Sequence, residues 1–402
     1  MLLNLEILML DLITSILLLL IVAIGLGEIF NRFSLPEVVG AIIAGIILGP
    51  ALTGIIVPSS ELSTISVLAL FFIILQIGVE ASADIFTKNA RYITSFALTS
   101  FIVPLIVMSA GSVFIFRLPY IEAVSTSLSV SVPSISIASV LLVRSGLIKI
   151  DDGLRLLGGV AMSDTIAFII LVSLHLAALT IAVDTASLAA FVVCLYFLDM
   201  LLKSKSEILI RRLDVFTRRE KEGIIFAVVI LMGLAASVLF EYIGITFVLG
   251  AFFSGLIIHQ NTIGEHAYGI LKRTFQRINS SFFIPLFFSI SGIEITIIPI
   301  SYLPYLLFLI AVTTSIGGFA AYIFSKRYMK SIAPTVSLGL FGGRGAVGII
   351  IASIALSKGF TNNTDYSIAI FATVIMAIAF TTVFQYSLKK NSPTQLANVA
   401  GR

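Results

Sequence analysis

The run Leu157-Gly158-Gly159-Val160-Ala161-Met162-Ser163-Asp164-Thr165-Ile166-Ala167-Phe168-Ile169-Ile170-Leu171-Val172 decides how the chain reads. It belongs to an apolar stretch long enough to cross a membrane, with one carboxylate near its middle. A charged Asp at the centre of a spanning helix costs about 2.5–3.5 kcal/mol on insertion scales, so such residues face a bundle interior or a water cavity and mark ion or proton paths. The alternative for Asp164 is a structural acid paired inside a helix bundle.

Working outward, the composition supports a membrane setting. Hydrophobic residues make up 58% of the chain and charged residues 11%. With a mean hydropathy of +1.12 and apolar runs from end to end, the chain is too apolar for a soluble protein. Its net charge of +4 is explained by membrane orientation and points to no nucleic acid. The single cysteine, Cys194, excludes an intramolecular disulfide and a cysteine metal site. No basic residue precedes Arg32, so the charged region of a cleaved signal is missing and the first apolar run should remain as a helix. No paired acids, nucleophile–base set or metal-ligand spacing stands out, so no enzyme and no cofactor are expected.

Breaking apolar runs of about 20 residues at polar clusters predicts an all-α polytopic membrane protein of about thirteen transmembrane helices. These lie near 8–30, 36–52, 62–81, 92–116, 123–143, 153–179, 183–202, 221–241, 243–260, 276–293, 300–325, 333–357 and 365–388. Lys and Arg accumulate on cytoplasmic connections. With the N-terminus outside, the inner connections carry Arg32, Lys88, Arg91, Arg144, Lys149, Arg155, the basic run from Lys203 to Lys221, and the later groups around Lys272, Lys326 and Lys389. Only Arg117 and Lys358 fall outside, and Arg344 falls within a span. The expectation is a multi-pass protein of the cell membrane, N-terminus outside and C-terminus cytoplasmic, in contact with the lipid bilayer.

The chain also repeats itself. Val39-Gly40-Ala41-Ile42-Ile43-Ala44-Gly45-Ile46-Ile47 in span 2 matches Leu249-Gly250-Ala251-Phe252-Phe253-Ser254-Gly255-Leu256-Ile257 in span 9, and Gly78-Val79-Glu80 in span 3 matches Gly292-Ile293-Glu294 in span 10. Seven spans separate each pair, so the second copy must cross in the opposite sense. This predicts two inverted-topology repeats of six helices, about 8–179 and 221–388, joined by the helix near 183–202. Secondary transporters use this plan, with a midplane site where broken helices meet.

Equivalent breaks are then expected in spans 5 and 12. Span 5 holds seven serines between Ser125 and Ser139 together with Pro133, which removes a backbone donor. Span 12 holds Gly342-Gly343-Arg344-Gly345. Non-helical backbone at membrane depth is tolerated where it lines a cavity or is buried in protein; a small-residue packing face between helices is the alternative. The pair predicts two crossed discontinuous helices, with Pro133, Gly343, Arg344 and Gly345 shaping the breaks.

A monovalent cation leaving water must recover oxygen ligands. Asp164 supplies charge, Ser163 a hydroxyl, and an unwound segment around Ser131 and Ser134 supplies carbonyls and further hydroxyls. Burial penalises the charged form of a carboxylate, so proton and cation would compete for one acid. Arg344 either braces the break or takes part directly, and an intramembrane Arg needs a partner. His175 follows Asp164 by about three helical turns and either continues the pathway or packs as a capped histidine. Glu80 and Glu294 fall near span ends, Glu28 and Glu37 either border a cavity or are solvated, and His259 and His266 suggest no metal cluster.

These residues resemble the monovalent cation:proton antiporter superfamily, the sodium/hydrogen exchanger fold, over nearly the whole chain. Leu35-Pro36-Glu37-Val38-Val39-Gly40 through Leu48-Gly49-Pro50 looks like its second-helix signature. Phe283-Ile284-Pro285-Leu286-Phe287-Phe288-Ser289-Ile290-Ser291-Gly292-Ile293-Glu294 is similar to another of its stretches, and Gly342-Gly343-Arg344-Gly345-Ala346 to its glycine-arginine motif. The resemblance implies an antiporter of Na+, Li+ or K+ against H+, with Na+ foremost. It also implies a homodimer in which a bundle carrying the crossed helices moves in elevator fashion. The family's ion-binding aspartate falls on Asp164. Electrogenic relatives have two adjacent aspartates there, where this chain has Ser163-Asp164. Ser131-Val132-Pro133 stands where exchangers often have Thr-Asp-Pro, and Thr313-Thr314-Ser315 lies in the helix where electrogenic relatives place a lysine. One titratable acid points to electroneutral exchange. Relatives gated by glutathione carry a soluble nucleotide-binding domain, and this chain is expected to lack one. Sodium-coupled uptake of an organic solute and a non-transporting membrane sensor are the rival readings.

Overall fold

The computed structural model describes residues 2–33, 35–80, 90–133, 138, 141–142, 145, 147, 150–177, 218–242, 247–258, 263–329 and 331–400. The expected span near 183–202, Cys194, His259 and Ser134 lie outside the described residues.

The described chain is helical. In order the helices are α1 (Leu2–Arg32), α2 (Glu37–Leu48), α3 (Ser60–Glu80), α4 (Ala90–Ala97), α5 (Val103–Phe114), α6 (Tyr120–Ser131), α7 (Asp151–Ala177), α8 (Arg218–Tyr242), α9 (Phe247–Ile257), α10 (Glu265–Ile278), α11 (Ile284–Ile293), α12 (Leu303–Val312), α13 (Phe319–Tyr328), α14 (Pro334–Gly342), α15 (Ala346–Ser357) and α16 (Asn363–Ala400). Among the described residues, six stretches are long and apolar enough to cross a membrane: Asp11–Arg32, Ser60–Glu80, Ser95–Phe114, Gly223–Tyr242, Ile300–Tyr328 and Asn363–Lys390. The helices α2 and α15 are apolar but shorter.

Three pairs of helices are joined end to end by π-helical turns: Leu98–Ile102 between α4 and α5, Asn279–Phe283 between α10 and α11, and Thr313–Gly318 between α12 and α13. The first two have a local cause. Pro104 and Pro285 stand in the first turn of the following helix and have no N–H to offer the carbonyl four residues back, so the ladder shifts by one residue.

The sequence reading began its tenth span at 276, with a polar connection before it. The structure instead starts a helix at Glu265. Tyr268, Leu271 and Phe275 bury one stripe of α10, a helical spacing that the charges Lys272, Arg273 and Arg277 disguise in a hydropathy average.

The chain divides into two compact units. The first comprises Met1–Ser63, Ile85–Ala167 and Phe288–Arg402, and the second Thr64–Asp84 and Phe168–Phe287. In the first, Leu142, Val160, Val336 and Leu340 share a core with Phe96 and Phe324, whose rings meet edge-on at 5.1 Å. Here α1 and α2 touch at Gly27 and Gly40, and α2 crosses α11 so closely that a Cβ on Gly45 would overlap the Ser289 carbonyl and one on Gly292 the Ile42 carbonyl. In the second unit, a Cβ on Gly250 would collide with Ala236 and Ser237 of α8. A Cβ on Gly255 would strike the Leu75 carbonyl, and one on Gly78 the Phe252 carbonyl. Backbone-to-backbone contact at these crossings admits no side chain.

Candidate ion-binding site

The site is built where two helices stop inside the first unit. α6 ends at Ser131; Val132 is extended, and Pro133 forms an isolated antiparallel bridge with Arg344. α14 ends at Gly342, and Gly343 is extended with φ −64° and ψ 114°. Gly345 is extended too, at φ −172°, and α15 begins at Ala346. Because Pro133 has no N–H, the bridge must be closed by groups of its neighbours. Helical structure resumes by Ala138. α6 and α14 thus both end at this bridge, where Pro133 meets Arg344.

Arg344 is 0% exposed. A Cβ built on Gly317 would lie 3.0 Å from Arg344 Nη2 and 3.3 Å from the Ser100 carbonyl oxygen. The guanidinium therefore lies beside the π turn at Gly317.

Asp164 sits in the middle of α7 and is 2% exposed. Neither of its carboxyl oxygens has a hydrogen-bond partner among the described residues. Ser163, fully buried, donates its hydroxyl to the Gly159 carbonyl one turn back at 3.0 Å. Gly159 in turn lets α7 close on α4, since a Cβ there would lie 2.5 Å from the Phe96 ring. Ser131 likewise donates to the Leu128 carbonyl at 3.1 Å. A hydroxyl that donates its proton to its own helix keeps its lone pairs, so both serines retain acceptor oxygens. Among the described residues no group of three or more His, Cys, Asp or Glu is placed to hold a metal.

A sequence profile of the family described as "Sodium/hydrogen exchanger, transmembrane" matches residues 16–390. This chain belongs to the sodium/hydrogen exchanger family. It is a multi-pass membrane protein of a cation/proton antiporter family. It is 26% identical over 393 residues to a Na(+)/H(+) antiporter of Enterococcus hirae, covering 94% of this chain and 98% of that relative. It is also 26% identical over 360 residues to the Na(+)/H(+)-K(+) antiporter GerN of Bacillus cereus, covering 88% and 90%. In fold it is similar to the sodium proton antiporter MjNhaP1 of Methanocaldococcus jannaschii, with a TM-score of 0.67 at 14% identity over 95% of this chain and 97% of that one.

In this exchanger family member, Asp164, Ser163, Ser131, Pro133, Gly343, Arg344 and Gly345 all belong to the first unit. Pro133 and Arg344 are brought into direct contact, while Ser163 and Ser131 bond within their own helices. His175 lies on α7, but its side chain is outside the described residues; His266 is exposed on α10. Burial pushes the carboxyl of Glu294, just past α11, up to about 7. The sequence reading missed the seat of Arg344 at Gly317, for which the only signal was the pair Gly317-Gly318 behind three hydroxyl residues.

Proposed function

We propose that this chain is a secondary active antiporter exchanging a monovalent cation, Na+ foremost, for H+, and that Asp164 binds the two in turn. The observation that carries this reading is an acid buried at mid-helix whose oxygens accept no hydrogen bond among the described residues. A buried carboxylate left in that condition is costly as an anion, and either a proton or a cation relieves it. Ser163 and the end of α6 at Ser131, with Ser134 three residues further on in the sequence, complete the ligand set for a cation passing through as substrate. Mutual exclusion at one acid couples the two fluxes, and exchange of one charge for one charge is electroneutral. An electrogenic cycle would draw about 2.3 kcal/mol per net charge per 100 mV, so its rate would follow imposed voltage.

The glycine crossings support the inverted repeat. The sequence match pairs Gly40 with Gly250, Gly45 with Gly255 and Gly78 with Gly292. Under that pairing the crossing of Gly45 with Gly292 becomes that of Gly255 with Gly78. The contact of Gly40 with Gly27 likewise becomes that of Gly250 with Ala236 and Ser237. The π turns at Leu98–Ile102 and Thr313–Gly318 fall at equivalent places in spans 4 and 11. Alternating access then follows as an elevator movement of the bundle holding the crossed breaks, in a homodimer with the N-terminus outside.

The test is dissipation of a preset pH gradient in proteoliposomes by Na+, Li+ and K+, for the parent and Asp164→Asn. A sodium response abolished by the substitution is expected. A response to K+ alone would move the assignment to potassium/proton exchange, in line with the relative whose name includes K+. No response to any cation would overturn the reading.

A further inference from the structure

The first unit also holds a groove that the ion site does not use. Its volume is about 780 Å³, and it lies between the stretch from Ile310 to Tyr322 and α16, with Leu338 of α14 in its floor. Both walls belong to stretches long and apolar enough to cross a membrane, Ile300–Tyr328 and Asn363–Lys390, so the groove follows the spans. Its lining is apolar apart from Thr314, Ser315 and Tyr322, and Ser315 donates its proton to the Ala311 carbonyl of its own helix at 2.5 Å. Phe319 and Ile375 on the two walls are 61% and 43% exposed. An exposed apolar wall within a membrane span meets acyl chains.

One end of this groove is basic. α14 runs back between its neighbours: Leu338 lies against Gly318 while the Ile332 carbonyl accepts the Ser325 hydroxyl, and Gly342 and Gly339 lie against Phe380 and Phe384. α13 and α16 therefore run the same way, and their C-terminal ends lie at the same end of the groove. Phe319, Tyr322 and Lys326 follow at spacings of three and four on α13, and Ile375, Ala379, Val383 and Lys390 at four, four and seven on α16. Such spacings keep to one helix face. Lys326 and Lys390 thus continue the stripes that line the groove, about 6 Å beyond Tyr322 and about 10 Å beyond Val383 at the helical rise per residue. Both lysines are exposed, and among the described residues neither forms an ion pair. Arg327 beside them lies over the Tyr328 ring at 5.7 Å. Asp365 is the only acid from Ile300 to Arg402, and it stands in the first turn of α16, at the far end. Asp152 reaches the basic end from α7, but it accepts the Ser331 N–H at 2.9 Å and pairs with Arg155 at 3.3 Å.

We propose that this groove binds an anionic phospholipid, with an acyl chain along its walls and the phosphate at Lys326 and Lys390. An apolar trough that ends in two cations matches a molecule that is apolar along its length and anionic at one end. The same charges disfavour a second copy of the chain as the occupant. A two-fold axis along the membrane normal, passing through the groove, would set Lys326 and Lys390 of one copy against those of the other. The bound chain lies along Thr314 and Ser315 of the π turn, whose Gly317 abuts Arg344. The lipid therefore backs the turn beside which the buried arginine rests.

The chain has no tryptophan, so one introduced at the groove reports alone. The experiment places Phe319→Trp in the full-length protein, reconstituted in vesicles, and measures quenching of its fluorescence by phosphatidylglycerol or phosphatidylcholine carrying brominated acyl chains. Ile106→Trp on α5, at a residue 61% exposed, is the reference for an ordinary lipid-facing position. The expected result is that brominated phosphatidylglycerol associates at Phe319→Trp at least threefold more strongly than brominated phosphatidylcholine. That preference should be absent at Ile106→Trp and lost when Lys326→Gln and Lys390→Gln are added to Phe319→Trp. Equal association of the two lipids at Phe319→Trp would overturn the proposal and leave ordinary boundary lipid, as would a preference equally strong at Ile106→Trp or one that survives the lysine changes. Quenching at Ile106→Trp but by neither lipid at Phe319→Trp would overturn it too, and would mean that protein covers the groove. Phe319 and both lysines are exposed, so these variants leave the packed core intact. The readout needs no transport, so it stands or falls separately from the antiport reading.

Discussion

The two breaks that meet at Pro133 and Arg344 are made from opposite materials. α6 approaches its break through serines: Ser125, Ser129 and Ser131 are buried, and each hydroxyl donates to a carbonyl of its own helix, at 2.7, 2.9 and 3.1 Å. α14 approaches its break through glycine and then sets down a fully buried arginine. Both helices end there with C-termini, whose last carbonyls lack intrahelical donors and carry partial negative charge. On the α6 side that negative end is lined by serine oxygens whose protons are already donated within the helix. On the α14 side a permanent cation answers it. Under the proposed antiport, the crossing has one side that takes positive charge in turn and one that already holds it.

The sharpest way to break this contrast is to remove the fixed charge. Arg344→Ala is expected to lower cation-driven proton flux at least tenfold in proteoliposomes, and the cavity left by so large a buried side chain should cost about 2–5 kcal/mol of stability. Arg344→Lys keeps the charge without the planar fork of donors and should fall between the two. Parental flux in Arg344→Ala would show that the charge at the crossing is dispensable and that the two breaks do equivalent work.

Much of this was legible because the membrane leaves few solutions for a chain so apolar. Asp164 stood out as a lone charge in an apolar run, and the breaks stood out because proline and clustered glycine cannot continue a buried helix without consequence. The Gly45 and Gly255 motifs were legible as glycines of close helix crossings, where the opposing backbone leaves no room for a side chain. What could not be read were features set by contact across the fold. The seat of Arg344 at Gly317 depends on a π turn, and π turns arise from a one-residue slip that hydropathy does not register. Asn362 ties Glu122 to Asp365, two acids from distant parts of the chain, each of which alone reads as an ordinary helix-start residue. α10 was hidden because its buried stripe of Tyr268, Leu271 and Phe275 is diluted by charges on the other face.

A smaller effect separates the two breaks in how tightly they are held. α15 packs on α6 where Gly348 meets the Ser129 carbonyl with no room for a Cβ. Gly348→Ala must push the two half-helices apart and should cost about 1–3 kcal/mol, as over-packing does. Pro133→Ala restores a backbone N–H without new bulk and should cost about 0.4–1 kcal/mol, the gain in unfolded-chain freedom. Thermal melting in one detergent orders them. Equal shifts would mean that the glycine contact holds the meeting of the breaks no more tightly than the proline does.

The smallest expected effect tests where the arginine rests. A methyl group on Gly317 would come within 3.0 Å of Arg344 Nη2 and 3.3 Å of both Pro104 and the Ser100 carbonyl. The nearest of these is the far end of a flexible side chain, so the guanidinium gives way by a few tenths of an ångström while the backbone stays. Gly317→Ala should therefore cost about 1 kcal/mol, the low end of over-packing, and reduce flux less than Arg344→Lys does. Residues in contact are not additive. Because a lysine ammonium lacks the fork that fills the space beside Gly317, adding Gly317→Ala to Arg344→Lys should lose less than the two single changes together. Strict additivity would mean that the guanidinium does not bear on Gly317, and the positive side of the crossing would need another anchor.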